Sequence, residues 1–111
     1  MMPFKIYFDA EFEREVKRLE KRFPQIREDI RDLLNDLQEG ALGGDRISGV
    51  NIVVYKVRLK NRSAQRGKSG GFRAIYAVVG GDTLVFFHIY SKTDKTDIGL
   101  AEIRRRLRHL L

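Results

Sequence analysis

Residues 72–91 read FRAIYAVVGGDTLVFFHIYS, and this stretch contains two β-strands joined by a tight turn. Phe72–Val79 and Thr83–Ser91 are both rich in β-branched and aromatic residues, which favour strands. Gly80-Gly81-Asp82 lies between them and is typical of a hairpin turn, because glycine accepts the backbone angles that such turns require. The stretch therefore predicts an antiparallel β-hairpin.

Two further strands and three helices are predicted around this hairpin. Val50–Leu59 is a β-branched strand, and Pro3–Phe8 is a short apolar strand at the start of the chain. Asp9 is a good N-cap for the helix that follows. Two apolar stripes then recur at helical spacing and end before the glycine-rich loop Gly40–Gly49. The stripes consist of Phe12, Val16, Leu19 and Phe23, followed by Ile26, Ile30, Leu33, Leu34 and Leu37. A last helix is predicted from Asp97.

The predicted order of elements is β-α-α-β-β-β-α, which belongs to the α+β class. We expect a twisted, mostly antiparallel four-stranded sheet packed against a helical hairpin, with a C-terminal helix. The 111 residues suffice for one modest hydrophobic core, so residues 1–111 are predicted to form a single domain.

Composition excludes several kinds of chemistry. The chain has no cysteine, which removes disulfides, thiolate catalysis and cysteine-bound metal sites. The acidic residues lie mostly on the helical hairpin, so no metal site and no other cofactor is expected. The longest apolar runs, such as Leu84–Ile89, are too short to span a bilayer, so no membrane partner is expected. The start of the chain lacks the layout of a secretory signal, and we expect a cytoplasmic protein.

The positive charge is concentrated in one part of the chain. Residues 1–40 contain eight Lys/Arg and ten Asp/Glu, whereas residues 41–111 contain fourteen Lys/Arg and five Asp/Glu. Lys56–Arg73 carries seven positive charges and no negative one, and aromatic residues flank it. Such a segregated excess favours a polyanionic partner, and aromatic residues can stack on bases. The stretch is therefore predicted to bind the phosphate backbone of RNA.

Strand alternation predicts where these cations point. Alternate residues of a strand share a face, so Lys56 and Arg58 should lie on the face of the sheet away from the helical hairpin. Arg73 can lie beside them if the two strands are neighbours. The loop Lys60–Gly71 is predicted to be irregular and flexible enough to reach around a nucleic acid. Its cations are Lys60, Arg62, Arg66 and Lys68.

Three short motifs in this order resemble the RelE/ParE superfamily of bacterial toxins. They are Tyr55-Lys56-Val57-Arg58-Leu59, then the segment 66–76 (RGKSGGFRAIY), then Ile89-Tyr90-Ser91-Lys92. The "GKSGGFR…Y" and "IYSK" elements are most similar to the RelE/HigB branch. The predicted order of elements is also that of the family, so the resemblance spans nearly the whole chain.

The resemblance implies the toxin of a type II toxin–antitoxin system. Its partners would be mRNA, the ribosomal A site and a cognate acidic antitoxin that inhibits it and can form a heterotetramer with it. Its activity would be a metal-independent endoribonuclease that uses the RNA 2′-OH as nucleophile against the adjacent phosphate. The catalytic residues carried over or inferred are Lys56, Arg58, Arg73, Tyr90 and Lys92. The RNA-binding residues inferred are Lys60, Arg62, Arg66, Lys68 and Lys95.

Within this set, our hypothesis assigns a role to each of four residues. Lys56 is the base or its helper, Arg58 and Arg73 hold the scissile phosphate, and Tyr90 stacks on the substrate or orients it. The chain also departs from the family pattern. Thr93 stands where some members have a catalytic arginine, and Ile98-Gly99 stands where they have a tyrosine. The general acid is therefore open between substitutes such as Tyr90 and Lys95.

Two other functions remain open at this point. A ParE-like toxin would act on DNA gyrase, although it would not need the cationic strand residues. A protein of the same fold could also bind RNA without cutting it, which the two departures favour.

Two histidines and a cluster of arginines each have more than one interpretation. His88 is predicted to share a strand face with Phe86 and Tyr90 and to be a partly buried core histidine, with acid–base work as the alternative. His109 is read as solvated or as a cation favoured by the helix dipole. The cluster Arg104–Arg108 is a solvated helix face, a ribosomal RNA contact or an antitoxin-docking surface.

Overall fold

The computed structural model describes residues 4–40, 43–94 and 98–110. Its strands are β1 (Lys5–Phe8), β2 (Asp45–Arg46), β3 (Val53–Leu59), β4 (Phe72–Val79) and β5 (Thr83–Ser91). Its helices are α1 (Ala10–Glu20), α2 (Ile26–Gln38) and α3 (Leu100–Leu110). None of the helices in these ranges is long and apolar enough to cross a membrane.

The described strands form one mixed sheet in the order β1-β5-β4-β3-β2. β1 pairs in parallel with β5, and the other neighbours are antiparallel. The α+β class is confirmed, but the prediction of four strands is wrong because β2 is a fifth. β2 has only two residues and no apolar pattern, so the sequence does not indicate it. Gly44 precedes it, and a Cβ there would lie 2.2 Å from the carbonyl oxygen of Lys56.

The sheet is covered on both faces. The helical hairpin packs on one face and forms the hairpin-side core with Val57, Leu59, Ala74, Tyr76 and Phe86. α3 packs on the other face and forms the α3-side core. That core contains Val54, Ile75, Ala77, Phe87, Tyr90, Ile98, Ile103 and Leu107. The predicted face of Lys56 and Arg58 on β3 is therefore confirmed, Arg73 lies beside them because β3 and β4 are neighbours, and the C-terminal helix lies on the same face.

Helix α1 begins as predicted. The Asp9 side chain accepts a hydrogen bond from the Phe12 N–H at 2.8 Å, which satisfies one of the free donors of the first turn. One predicted strand boundary is wrong. β3 begins at Val53 and not at Val50. α3 begins at Leu100, whereas its predicted start at Asp97 lies outside the described residues.

A bulge in β5 changes which side chains share a face. Ile75 pairs with His88, but the next residue, Tyr76, pairs with Phe86, so Phe87 is an extra residue in β5. Phe86 therefore faces the hairpin-side core while Tyr90 faces the α3-side core. The prediction that Phe86 and Tyr90 share a face with His88 is wrong for Phe86, because strict alternation does not allow for an inserted residue.

Candidate functional site

Three of the sequence-predicted site residues form a row across the sheet. Arg58 of β3 lies directly opposite Arg73 of β4, and Arg73 lies directly opposite Tyr90 of β5. Arg58 is exposed, whereas Arg73 and Tyr90 are 8% and 5% exposed. We name these three residues the Arg58 row. Only its β3 end is open to a large ligand.

Arg73 is held by main-chain carbonyl groups. Its guanidinium donates to the carbonyl oxygens of Lys68 and Phe72, each at 3.2 Å, and to that of Ser69 at 3.0 Å. Arginine has five N–H donors, so these three bonds leave two for another acceptor. Arg73 thus fixes the turn before β4 and keeps limited capacity to bind an anion.

Lys56 and Lys92 flank the Arg58 row. Lys56 lies two residues before Arg58 on the same strand, opposite Ile75, and is half-buried. Lys92 follows the end of β5, where its N–H donates to the Gly71 carbonyl at 2.9 Å. The sheet therefore brings both lysines to the region of the row.

The basic loop 60–71 contains hydrogen-bonded turns, so the prediction that it is irregular is wrong, whereas its flexibility stays a prediction. It contains a 3₁₀ turn at Arg62–Ala64, and Asn61 and Arg66 exchange two main-chain hydrogen bonds of 2.9 Å. Gly71 closes the loop tightly, because a Cβ there would lie 2.0 Å from the Leu59 carbonyl oxygen. Local hydrogen bonds of this kind are not evident from a run of glycine and polar residues.

Arg62 connects this loop to α2. Its guanidinium lies 3.1 Å from a carboxylate oxygen of Asp29 and 2.6 Å from one of Asp32. Asp29 is 2% exposed, and this burial raises the pKa of its carboxyl group although Arg62 opposes the shift. The charge of Arg62 is thus largely compensated within the protein, unlike that of Lys60 or Arg66.

The other predicted RNA-binding residues differ in their surroundings. Lys60 and Arg66 are exposed, and neither is in an ion pair within the described ranges. Lys68 is exposed and lies 4.0 Å from Asp36. Lys95 lies outside the described residues.

A groove of about 770 Å³ separates α2 from β3. Lys56, Arg58 and Lys60 line the side of the strand, and Asp32 and Asp36 line the side of the helix. The aspartates on the α2 side repel phosphate. Binding of an anion is therefore favoured at the cations of β3 and disfavoured deep in the groove.

Glu15 of α1 is a buried residue to which the sequence analysis assigns no role. One carboxylate oxygen accepts from the Ile89 N–H at 3.0 Å, and the other lies 2.8 Å from Nδ1 of His88. Glu15 thereby provides a hydrogen-bond acceptor for the main chain of β5 beyond Phe86, where the pairing with β1 has ended. Its position three residues after Phe12 and four before Leu19, both on the apolar stripe, is the signal that could have identified it.

His88 is 2% exposed, in agreement with its reading as a core histidine. Because the Glu15 carboxylate only accepts, Nδ1 carries the shared hydrogen, and Nε2 is buried without a hydrogen-bond partner among the described residues. Burial by itself would raise the pKa of Glu15. Hydrogen bonds from His88 and Arg106 outweigh burial and hold that pKa below its ordinary value.

Arg106 connects α3 to the same carboxylate. It donates to Glu15 at 2.8 Å, to the Phe87 carbonyl at 2.9 Å and to Glu102 at 3.0 Å. Arg105 binds Glu102 at 2.7 Å and Glu11 at 3.4 Å. The two arginines lower the pKa of Glu102 to about 2. Two of the four arginines in the cluster Arg104–Arg108 are therefore paired with acidic residues of the protein, and the interpretation as a solvated helix face is wrong for Arg106, which is buried.

Comparison with known proteins gives the family. No curated protein and no solved structure matches the chain. The family model of the RelE toxin of the RelE/RelB toxin–antitoxin system matches residues 4–109. That span contains the Arg58 row, the basic loop and every described strand. The chain therefore belongs to the RelE family and is a RelE-type toxin of a toxin–antitoxin system, with an antitoxin as its partner.

Proposed function

We propose that this toxin is a metal-independent endoribonuclease of the RelE/HigB type that cleaves mRNA in the ribosomal A site. The substrate would be single-stranded message, and the antitoxin would block the toxin until it is removed. The proposal combines the RelE family membership with the chemistry of the sheet face that carries the Arg58 row.

The observation that carries the proposal is the direct pairing of Arg58 with Arg73. Like charges directly opposite each other on neighbouring strands destabilise a sheet. A phosphate between the two guanidinium groups removes this cost, and arginine binds phosphate in a forked geometry. The pair is thus suited to stabilise the charge that develops on a phosphorane.

The proposed reaction needs three roles at this face. Lys56, which this step requires as the neutral amine, accepts the proton of the 2′-OH, and the hydroxyl oxygen attacks the adjacent phosphorus to give a 2′,3′-cyclic phosphate. Arg58, assisted by the two remaining donors of Arg73, stabilises the phosphorane oxygens. The P–O5′ bond breaks, and Lys92 protonates the leaving 5′-oxygen.

The acid role, which the sequence leaves open, goes to Lys92 in this proposal, and two earlier assignments change. Tyr90 is too buried to offer a ring face to a base, so it supports Arg73 from β5 and orients the row. Arg62 holds the loop against α2 and does not bind RNA, because Asp29 and Asp32 already compensate its charge. Lys60, Arg66 and Lys68 remain the loop cations for RNA.

Expression of single variants without the antitoxin tests the assignment. Arg58→Ala and Lys56→Ala should each relieve growth arrest, since loss of one group that stabilises a transition state lowers a rate by about 100-fold or more. Arg31→Ala is the matched control, because Arg31 is exposed on α2 away from the row. Full arrest by Arg58→Ala at equal protein level would refute the assignment.

The readout must also separate this function from two others. A ParE-like toxin would inhibit supercoiling by DNA gyrase and leave message intact. A protein that binds RNA without cleavage would protect message without producing new 5′ ends. One contact favours this last candidate: Thr93 Oγ1 lies 2.9 Å from Ser91 Oγ, at the position where some members place a catalytic arginine.

A further inference from the structure

The arginine cluster of α3 divides into two pairs with different surroundings. Arg105 and Arg106 are held by Glu11, Glu15 and Glu102. Arg104 and Arg108 are exposed, and neither has an acidic partner among the described residues. Two uncompensated cations therefore stand four residues apart, on one face of the helix.

These two arginines border a hollow of about 670 Å³. The segment Gly49–Ile52 forms its other side, and the Arg104 guanidinium donates to the Gly49 carbonyl at 2.7 Å. Leu107 and Ile52 give the hollow an apolar floor, and Asn51 contributes an exposed amide. Among the residues that the structure describes, no acidic one lines it.

This combination of groups is suited to one nucleotide of a single strand. The two guanidinium groups can bind the phosphates on either side of the nucleotide. The apolar floor and an arginine plane can contact its base, and an amide can donate to and accept from the base edge. An acidic peptide would use the two arginines but would not need the apolar floor beside an amide.

The hollow and the Arg58 row lie on the same face of the sheet. α3 packs against Val54, and Arg58 is four residues further along β3 on that face. Ile52 and Arg58 are six residues apart, roughly 20 Å at about 3.3 Å per residue of strand. That separation is a few nucleotides, so one RNA strand can contact both places.

We propose that Arg104, Arg108 and the segment Gly49–Ile52 form a second RNA-binding site, which holds a nucleotide a few positions from the scissile phosphate. The inference rests on the proposed function in one respect, because the ligand is the same RNA strand. The site strengthens RNA binding and fixes the position of the strand relative to the Arg58 row, and it takes no part in bond breaking.

Fluorescence anisotropy with labelled single-stranded RNA tests the proposal, using a trimer and a dodecamer. Each single-strand phosphate contact contributes about 0.7 to the slope of log K against log salt, so two contacts contribute roughly 25-fold at 0.1 M salt. The double variant Arg104→Ala/Arg108→Ala should lose about this factor with the dodecamer, with a slope lower by about 1.4. Trimer binding should be unchanged.

The matched control is Arg14→Ala/Arg18→Ala on α1, which removes the same charge from an exposed i, i+4 pair. Equal losses in the two double variants would overturn the proposal, since the effect would then be general electrostatics. Dodecamer binding like that of the wild type, with weakened antitoxin binding, would also overturn it and assign the surface to the protein partner.

The same measurement separates this inference from the proposed function. Arg58→Ala should weaken trimer and dodecamer alike. If Arg58→Ala changes neither while the α3 double variant weakens the dodecamer, the proposed function fails at the Arg58 row and the second site stands. If Arg58→Ala weakens binding of both RNAs while the α3 double variant changes neither, the proposed role of the Arg58 row stands and the second site fails.

Discussion

At the scale of a residue, the position of Arg73 could be predicted from the sequence, but its burial and hydrogen bonds could not. The sequence places a cation on β4 next to the basic loop, and the structure confirms that position. The sequence does not indicate that the guanidinium is 8% exposed and bonded to three carbonyl oxygens. Those acceptors are main-chain atoms of a folded turn, which residue identities alone do not locate.

A lysine at each of the two arginine positions should separate their roles. Lysine cannot reproduce the fork that binds several carbonyl groups, so Arg73→Lys should lose cleavage about as fully as Arg73→Ala. Arg58 is exposed, and its proposed role is to stabilise phosphorane charge, which a lysine can do in part, so Arg58→Lys should keep a measurable part of the rate. Single-turnover cleavage rates and amide exchange at Lys68–Gly71 check this. Equal rates for the two lysine variants, with unchanged exchange, would contradict it.

Gly71 is required because β3 and β4 approach closely at the start of β4. A methyl group there would lie 2.0 Å from the Leu59 carbonyl, so Gly71→Ala should separate the two strands and displace Arg73. We expect a loss of about 2 kcal/mol or more in the free energy of unfolding, as for other overpacked sites. Gly67→Ala is the control, because a Cβ at Gly67 meets no atom within 4 Å. Urea denaturation curves that coincide for the two variants would refute this account.

At the scale of elements, a buried ionic cluster connects α1, β5 and α3. Glu15 binds the unpaired edge of β5, and Arg106 joins the same carboxylate to α3. The apolar stripes of the hairpin could be predicted because burial of apolar residues follows helical spacing. Glu15 could not, because a charged residue is buried only when its partners from distant parts of the chain are present.

The cluster should make folding stability depend on acid pH. The pKa of Glu15 is lowered in the folded state, so its contribution is fully present above the unfolded-state pKa of 4.5. It is lost as pH falls through the folded-state value, because protonation removes the ion pairs. The Glu15→Gln variant should therefore have a free energy of unfolding about 1–3 kcal/mol lower than the wild type at pH 7. Below pH 4.5, its free energy of unfolding should depend less on pH than that of the wild type.

Thermal unfolding of both proteins between pH 3 and 7 measures this difference. Glu13→Gln is the control, since Glu13 is on the same helix and is not in an ion pair among the described residues. A Glu15→Gln variant that keeps the pH profile of the wild type would show that the cluster does not titrate as described.

At the scale of the whole molecule, the fold could largely be predicted and the site only in part. The order of the longer elements and the faces of β3 and β4 follow from apolar periodicity. Periodicity carries no information on β2, on the bulge at Phe87 or on the parallel partner of β1, because these depend on long-range pairing. The same holds for the candidate site. Periodicity predicts which strand and face carry its cations, but it does not predict how deeply each cation is buried.

The net charge also has a whole-molecule consequence. The basic excess lies in residues 41–111, which supply the Arg58 row, the basic loop and α3. Acids of the helical hairpin compensate Arg62, Arg105 and Arg106. Lys56, Arg58, Lys60, Arg66 and Lys68 lie on β3 and the basic loop, and Arg104 and Arg108 lie on α3, where we propose that a single strand of RNA runs.

The most direct test of the central claim is primer extension on a message translated by purified ribosomes in the presence of this toxin. The account predicts new 5′ ends within the translated region for the wild type, and their loss with Arg58→Ala but not with Arg31→Ala. Intact message at toxin levels that stop translation or inhibit gyrase would contradict the claim that the Arg58 row cuts RNA.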